Sequence, residues 1–238
     1  MKSKMLFLFI LLTGANIAQA LYEVNPTELE FLSSSLICKY TLASRYTDLA
    51  VSKQYKNTPS SSYFDVIGDV GGWHYCGGAI ILNRARVATD KEEKLKLLER
   101  AIKDITYSYK KIDKAHPWAV DMAISLAKAY QELEEDNEGV KVLSDLSEYH
   151  PKDVQLIKAL GLIHYYNSDY ENALKSFKQA DELTSKTSGE IAYFLGLTVY
   201  KMADYPAATF FADRAQQQGY PFQGLRKLLK KAESSGDK

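Results

Sequence analysis

The sequence is poor in the residues that make chemistry conspicuous. Its 238 residues include two cysteines, two tryptophans, four histidines and six prolines. Two cysteines cannot build a multi-bridge scaffold, and no C-x-x-C pair or Cys–His cluster with ligand spacing is present. The histidines His74, His116, His150 and His164 are dispersed. They form no H-E-x-x-H pattern, and no G-x-S-x-G elbow occurs. An excess charge of one sign is also missing, since 30 basic residues face 30 acidic ones. That balance argues against nucleic acid, which calls for a basic excess. Long apolar runs are absent beyond the first residues, because Gly77 to Leu82 is interrupted by Asn83 and Arg84. No alternating strand pattern stands out. The expectation is therefore an all-α chain with no catalytic constellation, no cofactor and no metal.

What is present begins with a leader. Lys2 and Lys4 precede the apolar run Met5 to Leu12, and Ala18-Gln19-Ala20 is a small-x-small site. This reads as a secretory signal peptide over residues 1–20, cleaved before Leu21. A membrane anchor is the alternative, but the run is short for about 30 Å of hydrocarbon. The reading is an exported protein of a Gram-negative periplasm, without stable membrane insertion; a eukaryotic secretory lumen is the other option. Without Lys2 and Lys4 the balance is 28 basic against 30 acidic residues, a net charge of −2. In an oxidising compartment Cys38 and Cys76 are expected to pair, closing a loop worth about 4 kcal/mol in the chain-entropy model. Two buried thiols are the alternative.

Helix signals fill the rest. Asn25-Pro26-Thr27-Glu28 opens a first helix, with Asn25 or Thr27 as cap, expected to run to about Gln54. A second helix is expected over about 61–88 despite Gly68, Gly71, Gly72, Gly77 and Gly78. Each glycine costs about 1 kcal/mol against alanine in a helix, so close approach of a neighbouring helix is expected in compensation. A phosphate loop is disfavoured, since no strand precedes and no G-K-[ST] follows. Asp90 caps a third helix over about 91–115, in which Leu95, Leu98, Ile102 and Ile105 share a face.

Beyond residue 116 a register takes over. Pro117 and Pro151 lie 34 residues apart, each preceded by a histidine. Leu160-Gly161 is followed by Ala173, Phe177 and Ala180; the units on either side carry Leu126-Ala127 with Gly139 and Leu143, and Leu195-Gly196 with Ala208, Ala212 and Ala215. Small residues admit one helix against its partner, and large ones fill the spaces between. A period of 34 residues with this content resembles the tetratricopeptide repeat, W-x₂-L-G-x₂-Y then A-x₃-F-x₂-A then P. The unit 154–184 fits best, with Ile157 and His164 at the Trp and Tyr places. Residues 73–116, through Trp73, Cys76, Gly77, Ile80 and Ala101, give a weaker, degenerate match. The resemblance implies an α-solenoid of antiparallel helix pairs. The segments expected are an N-terminal helical region over 21–116, three repeats over 117–218, and a C-terminal capping helix and tail over 219–238.

In this family the first helices of successive repeats line a concave groove for a protein or peptide partner. Carried onto this chain, the groove candidates are Lys128, Gln131, Lys158, Leu162, Tyr165, Glu190, Tyr193, Leu197 and Tyr200. Lysines suit acidic groups, and tyrosines offer flat apolar area with a polar tip. The expected function is a scaffold or adaptor of cell-envelope assembly, not an enzyme. The alternative is a periplasmic small-molecule module with an aromatic pocket at Trp73, Tyr75 and Trp118. The basic run Arg226 to Lys231 reads as a solvated helix end.

Overall fold

The computed structural model describes residues 24–235. The expected signal segment and its cleavage site lie outside the described residues. Every regular element among the described residues is helical. By contact density the chain divides between Ser60 and Ser61 into two units.

The first unit contains α1 (Glu28–Ser33), α2 (Leu36–Ala43) and a 3₁₀ segment (Ala50–Tyr55). The single helix expected to reach Gln54 is broken twice. At the first break the hydroxyls of Ser33 and Ser34 both donate to the Glu30 carbonyl, at 3.1 and 2.8 Å. They compete for an acceptor that a continuing helix would use, and Ser34 turns extended. Thr27 is the cap of α1, in a capping box with Glu30. Phe31, Ile37 and Leu42 are buried, and the Phe31 ring leans on Tyr55 at 5.8 Å. Cys38 and Cys76 form a disulfide, and no cysteine among the described residues is free.

The second unit starts with α3 (Ser62–Asp65), α4 (Gly72–Val87) and α5 (Lys91–Lys111). The helix expected over 61–88 is split because Gly71, the N-cap of α4, is left-handed at φ 62°. Helix α5 ends four residues earlier than expected, where Ile112 turns extended. Asp90 caps α5 by accepting the Glu93 N–H at 2.8 Å. Three helix pairs follow: α6 (Trp118–Glu132) with α7 (Asp136–Ser147), α8 (Val154–Tyr166) with α9 (Tyr170–Leu183), and α10 (Gly189–Lys201) with α11 (Tyr205–Gln217). Helix α12 (Gly224–Ser235) closes the stack, burying Leu225 and Leu229.

The register seen in sequence has a backbone counterpart. Between the helices of each pair one residue is left-handed: Glu134, Ser168 and Ala203, at φ 62°, 61° and 63°. The next residue is the N-cap, Glu135, Asp169 or Asp204, whose N–H returns at 2.9 Å to the carbonyl of Tyr130, His164 or Val199. One turn geometry is therefore used three times, by residues that all carry a Cβ.

Packing follows the small-against-large rule. A Cβ on Gly161 would lie 2.6 Å from the Phe177 ring, so the ring occupies the space that this glycine leaves. Ala173, Phe177 and Ala180 are wholly buried and share one cluster with Ile191 and Leu195 of the next pair. A helix pair thus completes its core only with its neighbour. Polar rungs recur at a similar spacing. Asp181 and Arg214 form a buried ion pair at 2.7 Å, and His150 Nε2 meets the Lys114 carbonyl at 2.6 Å.

Two substitutions test this account. Ala173→Leu overfills a closed site and is expected to destabilise the protein by roughly 1–3 kcal/mol in urea denaturation; no loss would show that α9 does not pack as described. Ala203→Gly relieves a left-handed Cβ and is expected to stabilise by about 1 kcal/mol; a loss would contradict the turn.

Candidate partner-binding trough

Helices α6, α8 and α10, the first of each pair, stand side by side and form the wall of a trough of about 370 Å³. Ile124 and Ala127 of α6, Leu162 of α8 and Phe194 of α10 supply apolar lining; Lys128, Gln131 and the exposed Tyr166 add polar tips. Arg86, near the end of α4, enters from the side. Helical spacing explains these choices. Lys128 and Gln131 are three residues apart, and Leu162 and Tyr166 four, so each pair shares a face.

The predicted candidates separate into four groups. Lys128, Gln131 and Leu162 meet in the trough. Lys158 and Glu190 bind each other at 2.8 Å, forming a rung between α8 and α10. Tyr165, Leu197 and Tyr200 are half-buried and pack on core clusters; Tyr165 is edge-on to Tyr166 and Tyr170, and Tyr200 to Tyr205. Tyr193 belongs to an aromatic trio with Tyr220 and Phe222, its ring 5.0 Å from Tyr220 and 6.4 Å from Phe222. The sequence reading passed over Arg86, Phe194, Tyr220 and Phe222 as site residues. Tyr166 is recoverable from its i+4 relation to Leu162; Arg86 and Phe222 lie outside the repeat pattern and carry no periodic signal.

The charges of the trough are unevenly matched. Glu132 receives Lys94 at 2.6 Å and Arg86 at 3.4 Å, and Lys158 is held by Glu190. Lys128 makes no hydrogen bond or ion pair among the described residues. Desolvation lowers its ammonium pKa, and the positive charges of Arg86 and Lys158 lower it further. Asp121, two turns back on α6, opposes this. The Asp121 carboxyl is itself pushed up, first by burial and then by Asp153. A cation repelled by two others, over an apolar floor, favours an incoming anion.

The alternative aromatic pocket is occupied by the protein itself. Trp118 is wholly buried and Tyr75 nearly so; their rings meet edge to face at 5.3 Å. The Tyr75 hydroxyl lies 3.4 Å from Ser125 Oγ, and burial raises its pKa. His116 Nδ1 accepts the Trp118 N–H at 3.1 Å, at the start of α6. His164 faces Asp169 across its turn at 3.0 Å. Both are structural uses of histidine. No group of three metal-binding side chains occurs among the described residues, and none of their helices is long and apolar enough to cross a membrane.

The repeated turn, the shared clusters and the trough across first helices define the architecture. The fold is a tetratricopeptide-like α-solenoid. Among solved structures it is similar to a mutant of MamA, with a TM-score of 0.51, 16% identity, and coverage of 70% of this chain and 84% of that one. A second MamA structure, that of AMB-1, aligns at 18% identity over 76% of this chain and 94% of that one, with a TM-score of 0.49. No family model and no curated protein matches the sequence. At such identities the likeness speaks of fold alone.

The charge imbalance predicts a trade between stability and binding. Lys128→Met keeps the stem and removes the repelled charge. It is expected to stabilise the protein by about 0.5–1 kcal/mol at neutral pH and low salt, after solvent screening is allowed for. Chemical denaturation measures the change; a clear destabilisation would mean that Lys128 has a structural partner.

Proposed function

We propose that this protein is an exported, non-enzymatic scaffold that holds an extended segment of a partner protein in the trough across α6, α8 and α10. The observation that carries the reading is Lys128, a cation with no partner among the described residues, set above the apolar floor of Ile124, Ala127 and Leu162. A side-chain anion beside an apolar group matches both features. The solenoid supports the same reading, because stacked helix pairs make extended concave surfaces of the kind that take peptides. Export rests on the leader pattern and the disulfide, which is at home in an oxidising compartment. Work in cell-envelope assembly is the setting that fits an exported scaffold of this type.

The test is a photoreactive residue placed at Gln131 in the producing cell, followed by identification of the adduct. The expected result is one defined protein adduct, lost in the Lys128→Glu variant and kept in Lys141→Glu, a charge change at an exposed site on α7. An absence of adducts from both Gln131 and Leu162, with the protein folded, would overturn the scaffold reading. The same preparation tests export: the mature chain is expected in the periplasmic fraction with Leu21 at its N-terminus. A chain retained in the cytoplasm with Met1 intact would overturn that part.

A further inference from the structure

The trough continues into a second surface that the charge argument does not use. Tyr166 on α8, Tyr193 on α10, and Tyr220 and Phe222 in the segment before α12 extend it toward the C-terminal end. Tyr166 and Phe222 are 60% and 64% exposed, too open for core rings. Tyr193, Tyr220 and Phe222 touch one another at centroid separations of 5.0 to 6.4 Å. The hydroxyls of Tyr166 and Tyr220 make no hydrogen bond among the described residues. Burial, then the charge of Glu190, raises the Tyr220 pKa; burial raises that of Tyr193, with a further contribution from Tyr166. The hydroxyls of Tyr193 and Tyr220 therefore stay protonated and act as donors at any physiological pH. Tyr193 meets Phe194 at 5.6 Å, and Phe194 lines the trough together with Tyr166, so the rings form one row.

A row of flat rings with outward O–H donors has a definite complement. It is a backbone that is extended, carries apolar rings of its own, and leaves its carbonyls unpaired. A polyproline II segment meets all three conditions: it has no internal hydrogen bonds, and its low conformational freedom limits the entropy lost on docking. The reach also fits. From α6 to α10 is two interhelical steps of about 10 Å each, covered by roughly six or seven residues at about 3.1 Å per residue. Lys128 stands at the other end and supplies the charge complementarity that fixes direction.

We propose that the occupant of the trough is a proline-rich segment containing an acidic side chain, its rings stacked on Tyr166, Tyr193 and Tyr220 and its carboxylate on Lys128. This rests on the scaffold reading and specifies the partner's chemistry.

Three fluorescein-labelled peptides of equal length test it by fluorescence anisotropy on the purified protein: an oligoproline with one aspartate, the same with asparagine, and a glycine–serine peptide with the aspartate. The aspartyl oligoproline is expected to bind, with the asparagine and glycine–serine forms each weaker by about tenfold. Lys128→Met is expected to erase the difference between aspartate and asparagine. Tyr166→Ala is expected to weaken both oligoprolines alike. Tyr200→Phe, at a packing position, is expected to change neither. Circular dichroism confirms that each variant is folded. Equal binding of the glycine–serine peptide, or no binding of the aspartyl oligoproline, would overturn the proposal, as would an aspartate preference that survives Lys128→Met. If the oligoproline fails while Gln131 still captures a defined protein, only this occupant is wrong. If both fail, the scaffold reading falls with it.

Discussion

The second unit depends on one contact repeated along the chain: a small residue on one helix receiving a large side chain from another. Gly161 against Phe177 is the clearest case, because the ring occupies the volume a Cβ would need. The contact has two consequences. It sets a short distance between the helices of a pair, and it leaves each pair with one apolar face uncovered. That face closes only when the next pair arrives, as Phe177 does with Ile191 and Leu195. The stack is therefore stable as an array, and it needs α12 at the end because the last pair has no successor. Leu225 and Leu229 take the place that a following first helix would fill.

Stacking by this rule produces the trough without any residue being selected to make it. First helices line up on one side at the spacing of the pairs, and the polar rungs reinforce that alignment. The pair Lys158–Glu190 ties α8 to α10, and Asp181–Arg214 ties α9 to α11. A rung on each side of the array resists sliding of one pair over the next. Lys158 and Glu190 are then half consumed by structure. A groove residue that pairs internally holds the wall, while its unpaired neighbour Lys128 is left for an incoming group.

Much of the repeat region could be read from sequence because its physics is local and periodic. A small residue beside a large one, recurring at 34, has few explanations other than stacked helix pairs. The breaks could not be read the same way. Ser33 and Ser34 look compatible with a helix until their hydroxyls claim the Glu30 carbonyl, and Gly71 becomes a cap only because the backbone there is left-handed. In the trough, Lys128, Gln131 and Leu162 were legible through the resemblance to the repeat family, whose first helices line a groove. Tyr165 was placed there instead of its neighbour Tyr166, which shares the face of Leu162 at i+4; adjacent residues differ by about 100°, so a small shift in phase exchanges lining for packing. The pairing of Lys158 with Glu190 is a distance between two helices, which no pattern within either one encodes. Arg86, Tyr220 and Phe222 come from segments outside the repeat, where periodicity gives no guidance.

The condition of Lys128 explains why a scaffold of this kind would keep an unfavourable group. Its repulsion by Arg86 and Lys158 makes the empty trough less stable than it could be, and a methionine at that position would relieve the cost. A bound carboxylate opposes that repulsion and raises the proton affinity that burial and the two neighbouring cations lower, so binding recovers free energy that folding forgoes. The tyrosine row works differently. Unpaired hydroxyls at an open surface cost little, because water serves them until a ligand's carbonyls replace it. The charged end would thus contribute most of the discrimination between partners, and the aromatic end most of the contact area. That division fits a trough whose apolar floor is shared between the two.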